Sequence, residues 1–129
     1  MKFAVVIHAA PYTSAAPVTA LRFCEAALRQ GHEITRLFFY RDGVRNVDGL
    51  AVAPQDELDV TSSWADLIRD NSLDAVACVS SALKRGVLDA REAHRHDKSA
   101  CNLIPGVTIA GLGQLVDATL ISDRVINFG

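Results

Sequence analysis

Apolar positions along this chain fall into short solid runs separated by longer, spaced stretches. The segment "KFAVVIH" (residues 2–8) is β-branched with no polar alternation, which predicts a strand buried on both faces. Residues 14–31 change to a helical spacing. Arg22, Glu25 and Arg29 recur at i, i+3 and i+7 as one solvent stripe, and Leu21, Phe23, Cys24, Ala27 and Leu28 cover the rest of the circumference. Pro17 suits the first turn and Gly31 the stop. "HEITRLFFY" (32–40) predicts a second strand. Residues 41–57 carry Gly43, Gly49 and Pro54 and no period, so they predict a long loop of the kind that often serves function.

Residues 59–71 predict a helix with Trp64, Leu67 and Ile68 on one face and a capping box at Ser63 and Asp66. "LDAVACV" (73–79) predicts a third strand, and residues 80–86 a short helix capped by the Ser80–Ser81 pair and stopped by Gly86. Asp89 and Glu92 repeat the capping-box pattern and open another turn or two of helix. A fourth strand ends near Ala110, a helix covers 111–120, and "DRVINF" (123–128) predicts a fifth strand.

Five strands alternating with helices predict one α/β domain over residues 1–129. Its expected form is a three-layer α/β/α sandwich on a mostly parallel five-stranded sheet with right-handed crossovers. Reactive groups in such folds collect outside the carboxyl ends of the strands. The segments expected there are 8–13, 40–46, 78–81 and 110–113.

Composition adds limits to this picture. Aromatic residues are only 6% of a chain that is 50% hydrophobic, so the core must be aliphatic. The net charge is −2 and no block of five like charges occurs, which argues against direct nucleic-acid binding. The first residues lack the apolar length of a signal peptide or spanning helix, so a cytoplasmic protein without membrane contact is expected. Three cysteines, an odd number, are then expected as reduced thiols.

The cysteines differ by position. Cys24 lies mid-helix, away from the solvent stripe, and reads as a small buried hydrophobe. Cys101 precedes strand four and reads as an incidental loop thiol. Cys78 ends a buried strand and faces the first turn of the next helix, where free N–H groups favour an anion and lower a thiol pKa. Lys84 and Arg85 follow and would add positive potential. On position alone Cys78 is either a core residue or a reactive thiolate.

A hydrolase would need a base, and only His8 falls at the same edge, with no third residue to orient it. A dithiol oxidoreductase would need a Cys-x-x-Cys pair, which is absent. Sulfur transfer needs least: one accessible thiolate that takes a sulfane sulfur and passes it on. Other features carry less. "IAGLGQL" lacks the third glycine of a nucleotide-binding turn, which would fall at Val116. His94 and His96 diverge on a helix and have no supporting ligands, so neither a metal nor a cofactor is expected. Tyr12 and Tyr40 either line a partner cleft or close the rim of the core.

Three segments carry a resemblance: "FFYRDGV" after strand two, "CVSSALKRGVLD" around Cys78, and "GLGQLVDATLISDRVINF" at the end. In this order and spacing the chain resembles the DsrE/TusD sulfur-relay proteins from Met1 to Phe128. The N-terminal loop departs from the pattern, reading "HAAPYTSAAP" where relatives often place Gly-Pro before the tyrosine. The resemblance implies a DsrEFH-like fold and a cytoplasmic sulfurtransferase subunit with Cys78 as catalytic persulfide carrier. It also implies two related small subunits in a heterohexamer, a sulfur-donor carrier protein and a sulfur-acceptor protein. In the TusD branch the sulfur ends in 2-thiouridine at the tRNA wobble position; in the DsrE branch the pathway is sulfur oxidation. A non-catalytic assembly subunit of the same complex is the alternative role.

Overall fold

The computed structural model describes residues 1–129. The strands are β1 (Lys2–Ile7), β2 (Glu33–Phe39), β3 (Ala75–Cys78), β4 (Val107–Ala110) and β5 (Arg124–Phe128). The helices are α1 (Ala16–Arg29), α2 (Val60–Asn71), α3 (Val79–Lys84), α4 (Ala90–Arg95) and α5 (Gly113–Ile121), with a 3₁₀ helix at Arg41–Val47. The strand order is β4-β3-β2-β1-β5, and every pair is parallel rather than most of them.

That order fixes where the helices go. The chain steps from β1 through β4 in one direction, then returns past β1 to place β5. Right-handed crossovers put the helices of the outward steps on one face and α5 on the other. Strand alternation sorts the core in the same way. Val5, Ile7, Leu37, Phe39, Ala75 and Ala77 pack with Leu21, Cys24, Trp64 and Ile68 of α1 and α2. Val6, Phe38, Val76 and Cys78 form a smaller cluster on the opposite face, joined by Tyr40, Ala110, Leu115 and Val125.

The face of α5 is thinly attached. Of its residues only Ala118 is buried, and Val116, Leu120 and Ile121 are exposed. Its main anchor is polar. Arg36, buried on β2, donates to the Gln114 carbonyl at 2.8 Å and to Asp117 at 3.1 Å, while two further N–H groups hold Asp74 at 2.7 and 3.0 Å.

Two local readings change and a third holds in part. The capping box predicted at Ser63 and Asp66 is not the cap of α2; the Asp59 carboxylate accepts from the Ser62 N–H at 3.0 Å, one turn earlier. At α4 one half of the expected capping box forms, the Asp89 carboxylate accepting from the Glu92 N–H at 2.8 Å, while the Glu92 carboxylate lies toward Arg95 and His96 instead of the Asp89 N–H. The stretch 41–57, read as an aperiodic loop, begins with the 3₁₀ helix. Val44 and Val47 are fully buried at a spacing of three, the 3₁₀ repeat that templates of 2 and 3.6 residues miss.

Candidate functional site

The carboxyl edge of β3 holds the candidate thiol. Cys78 is the last ladder residue, paired with Ala110 of β4, and is at the same time the N-cap of α3 with φ −60° and ψ 126°. The helix leaves the strand without a loop. Ser80 and Ser81, predicted to cap it, instead occupy the second and third helical positions, and their hydroxyls are free for other partners.

Cys78 as a residue is only 1% exposed, yet its Sγ is 3.5 Å from the hydroxyl of Ser80, a partly exposed residue. Burial pushes the thiol pKa up. The Ser81 hydroxyl and N–H and the Ser80 hydroxyl and N–H oppose this, and the net direction is down. Of these contacts the Ser80 hydroxyl alone has full hydrogen-bond geometry; the other three are longer or less aligned. Hydrogen bonds that favour the charged form lower an acid's pKa, and here they outweigh desolvation.

The expected basic pair contributes nothing to this. Arg85 donates to Asp42 at 2.8 Å and to the Ser81 carbonyl at 3.2 Å, which ties α3 to the 3₁₀ helix. Lys84 is exposed at the far end of α3. The thiol is therefore tuned by neighbouring hydroxyls and main-chain N–H groups, not by cations.

His8 lies at the same sheet edge as Cys78 but not beside it. β2 lies between β1 and β3, so His8 and Cys78 are separated by two ladder spacings, about 10 Å. The His8 ring meets Asn127 Oδ1 at 2.9 Å and packs edge-on against Tyr40. The Cys-His hydrolase loses its base.

The other thiols separate by environment. Cys24 is buried among α1 and β-strand residues, and burial, with the charge of Glu25 second, pushes its pKa up to about 12. Cys101 is exposed, and all three are free thiols. Tyr40 is half-buried against the Cys78 cluster and carries the Arg41 guanidinium 5.3 Å from its ring centroid. Tyr12 is exposed, and its hydroxyl links Leu58 and Val60 at the start of α2. His94 and His96 are exposed, with His96 Nε2 3.4 Å from Glu92. No helix is long and apolar enough to cross a membrane.

Comparison with known proteins places this architecture. A profile of the DsrE/DsrF-like family matches residues 1–128. The Sulfurtransferase TusD homolog of Pseudomonas aeruginosa is 48% identical over 129 residues, covering 100% of this chain and 98% of that one. A DsrE protein of Allochromatium vinosum is 46% identical over 129 residues, covering 100% and 99%. Sulfurtransferase TusD of Salmonella newport is 39% identical over 128 residues, covering 99% and 100%. The crystal structure of the ychN protein from E. coli superposes with a TM-score of 0.77 at 25% identity, covering 99% of each chain. A five-stranded parallel sheet, its helix placement and full-length similarity agree: the chain belongs to the DsrE/DsrF-like family, as a sulfurtransferase of that family.

Proposed function

We propose that Cys78 is the sulfur carrier of this sulfurtransferase. The observation that carries the reading is the place of its sulfur at the carboxyl edge of β3, directly at the start of α3 and 3.5 Å from the Ser80 hydroxyl. In loading, the Cys78 thiolate attacks the terminal sulfur of a donor persulfide. A new S–S bond forms at Cys78, the donor's S–S bond breaks, and its electron pair leaves on the donor thiolate. In off-loading, an acceptor thiolate attacks the outer sulfur and Cys78 departs as thiolate. Both steps are exchange at divalent sulfur with no net redox change, so a single cysteine suffices.

The donor is a small sulfur-carrier protein and the acceptor another protein thiol. The chain works in the cytoplasm with two related small subunits in a heterohexamer, and the sulfur is destined for the 2-thiouridine of tRNA wobble positions. The TusD-named relatives favour that branch; the DsrE relative, at nearly equal identity, keeps sulfur oxidation as the second reading. An assembly role without sulfur transfer is favoured by one observation, the 1% exposure of Cys78. A partner thiol cannot touch the sulfur in this conformation, so transfer requires local opening at the first turn of α3.

The test is to load the protein with sulfane sulfur and locate the added mass. The reading expects it on Cys78 and expects Cys78→Ser to accept none. Sulfur uptake by Cys78→Ser at the wild-type level overturns it.

A further inference from the structure

The outward side of α5 runs against the usual rule for a surface helix, which turns apolar residues to the core and polar or charged ones to water. Ala118 is buried and Leu115 packs on the cluster that holds Cys78, so these two mark the inward side. At about 100° per residue, Val116 lies about 160° from Ala118, and Leu112 and Leu120 flank Val116 at about 40° on either side. Leu112, Val116 and Leu120 are 48%, 59% and 78% exposed. Gly113 and Thr119, about 60° from Val116, complete this face. The Thr119 hydroxyl donates to the Val116 carbonyl at 2.6 Å, so its polar atom is already paired within the helix. No charged side chain of α5 falls in this arc. Asp117, the one charged residue of the helix, lies about 100° round and meets Arg36 at 3.1 Å.

We propose that this face binds a second copy of the chain, the two α5 helices packing antiparallel across a two-fold axis at Val116. The order Leu112, Val116, Leu120 reads the same in both directions. A reversed copy therefore sets Leu112 of each chain opposite Leu120 of the other, while Val116 meets its own counterpart. An isologous contact requires that kind of self-complementarity. The same operation sets Gly113 opposite Thr119, a small residue against a larger one, which lets the two backbones approach.

Charge favours this occupant. An uncharged face brings no like charges together when it meets its own copy, and it offers nothing for a partner selected by charge to read. Area sets the strength. The three large side chains expose on the order of 300 Å² together, in the range of the largest apolar patch on a typical monomer. Two copies would bury on the order of 600 Å² of this stripe, about half of a small standard interface, with the flanks of the helix adding a polar rim. Such a contact stands at the weak end of specific interfaces, so dissociation is expected at micromolar concentrations. The inference uses no property of Cys78 and stands apart from the carrier assignment.

The experiment is sedimentation equilibrium of the full chain across micromolar concentrations. The parent is expected to pass from monomer to dimer. Val116→Asp, which sets two carboxylates face to face on the axis, is expected to weaken the dimer by roughly tenfold or more. Val116 is exposed, so this variant should keep the parent's urea midpoint. A second measurement fixes the geometry. In a Cys101→Ser background under oxidised glutathione, Val116→Cys is expected to form a disulfide between copies. Ile121→Cys, also exposed but about 140° round from Val116, is expected to form none. A parent that stays monomeric overturns the proposal, including the case in which a related subunit takes the stripe instead. A dimer unchanged in folded Val116→Asp, or equal cross-linking from Val116→Cys and Ile121→Cys, overturns it as well.

Discussion

Gly43 is the tightest point between the 3₁₀ helix and the sheet, and replacing it with alanine tests how the site is held. A Cβ there would lie 2.7 Å from the Ile7 carbonyl carbon and 3.3 Å from the His8 nitrogen, and closer still to the Ile7 oxygen. All are backbone atoms at the end of a central strand, so no flexible side chain can yield. The 3₁₀ helix must instead move outward. That motion overpacks the junction, which costs about 1–3 kcal/mol. It also strains the Tyr40 N–H bond to the Ile7 oxygen at 2.9 Å and the Gly43 N–H bond to the Tyr40 oxygen at 2.8 Å. Losing two main-chain hydrogen bonds adds about 1 kcal/mol each. Gly43→Ala is thus expected to cost about 3–5 kcal/mol, a large part of the stability of a typical domain. In urea, with a slope of about 2 kcal/mol/M, the midpoint should fall by about 1.5–2.5 M. A loss below about 1 kcal/mol would refute the reasoning, because it would mean the junction has slack that the contacts deny.

Two further predictions follow from polar and ionisable groups. Cys24 is pushed up to about 12 by burial, so above about pH 9 the unfolded chain loses a proton that the folded chain keeps. Stability should then fall with rising pH by about 1.4 kcal/mol per unit over that window. Cys24→Ala should remove this slope, and equal pH dependence of the urea midpoints in both proteins would contradict it. Arg36→Met should loosen α5. Its acidic partners Asp74 and Asp117 are 49% and 54% exposed and regain water, so the loss should be about 1–2 kcal/mol, short of the cost of breaking a fully buried pair. Hydrogen exchange should show α5 amides opening first; unchanged α5 protection would contradict the anchor.

Much of this architecture is legible in the chain because its parallel strands are buried on both faces. "KFAVVI", "EITRLFF" and "AVAC" read as solid apolar runs, and the helices between them carry a 3.6 period. The buried face of α2 and the burial of Cys24 follow from that period alone. The pairing of strands does not. Which strand lies between β1 and β3 is a tertiary outcome, and it alone separates His8 from Cys78. The 3₁₀ helix was hidden because its repeat of three matches neither template, although the buried Val44–Val47 pair records it. Ser80 and Ser81 stood out as helix-capping residues for a sound local reason. The helix begins at Val79, directly on the strand, so the serines fall inside it and turn to the sulfur and to Arg41. The Arg41 N–H bond to Ser81 could not be foreseen, since it depends on a main-chain group and a left-handed φ.

The most direct test of Cys78 as carrier is a count of cyanide-releasable sulfur per chain after loading. Wild type and the Cys24→Ala/Cys101→Ser double variant should each release one sulfur per chain, and Cys78→Ser none. Full release from Cys78→Ser, or its loss in the double variant while Cys78 is intact, would contradict the account.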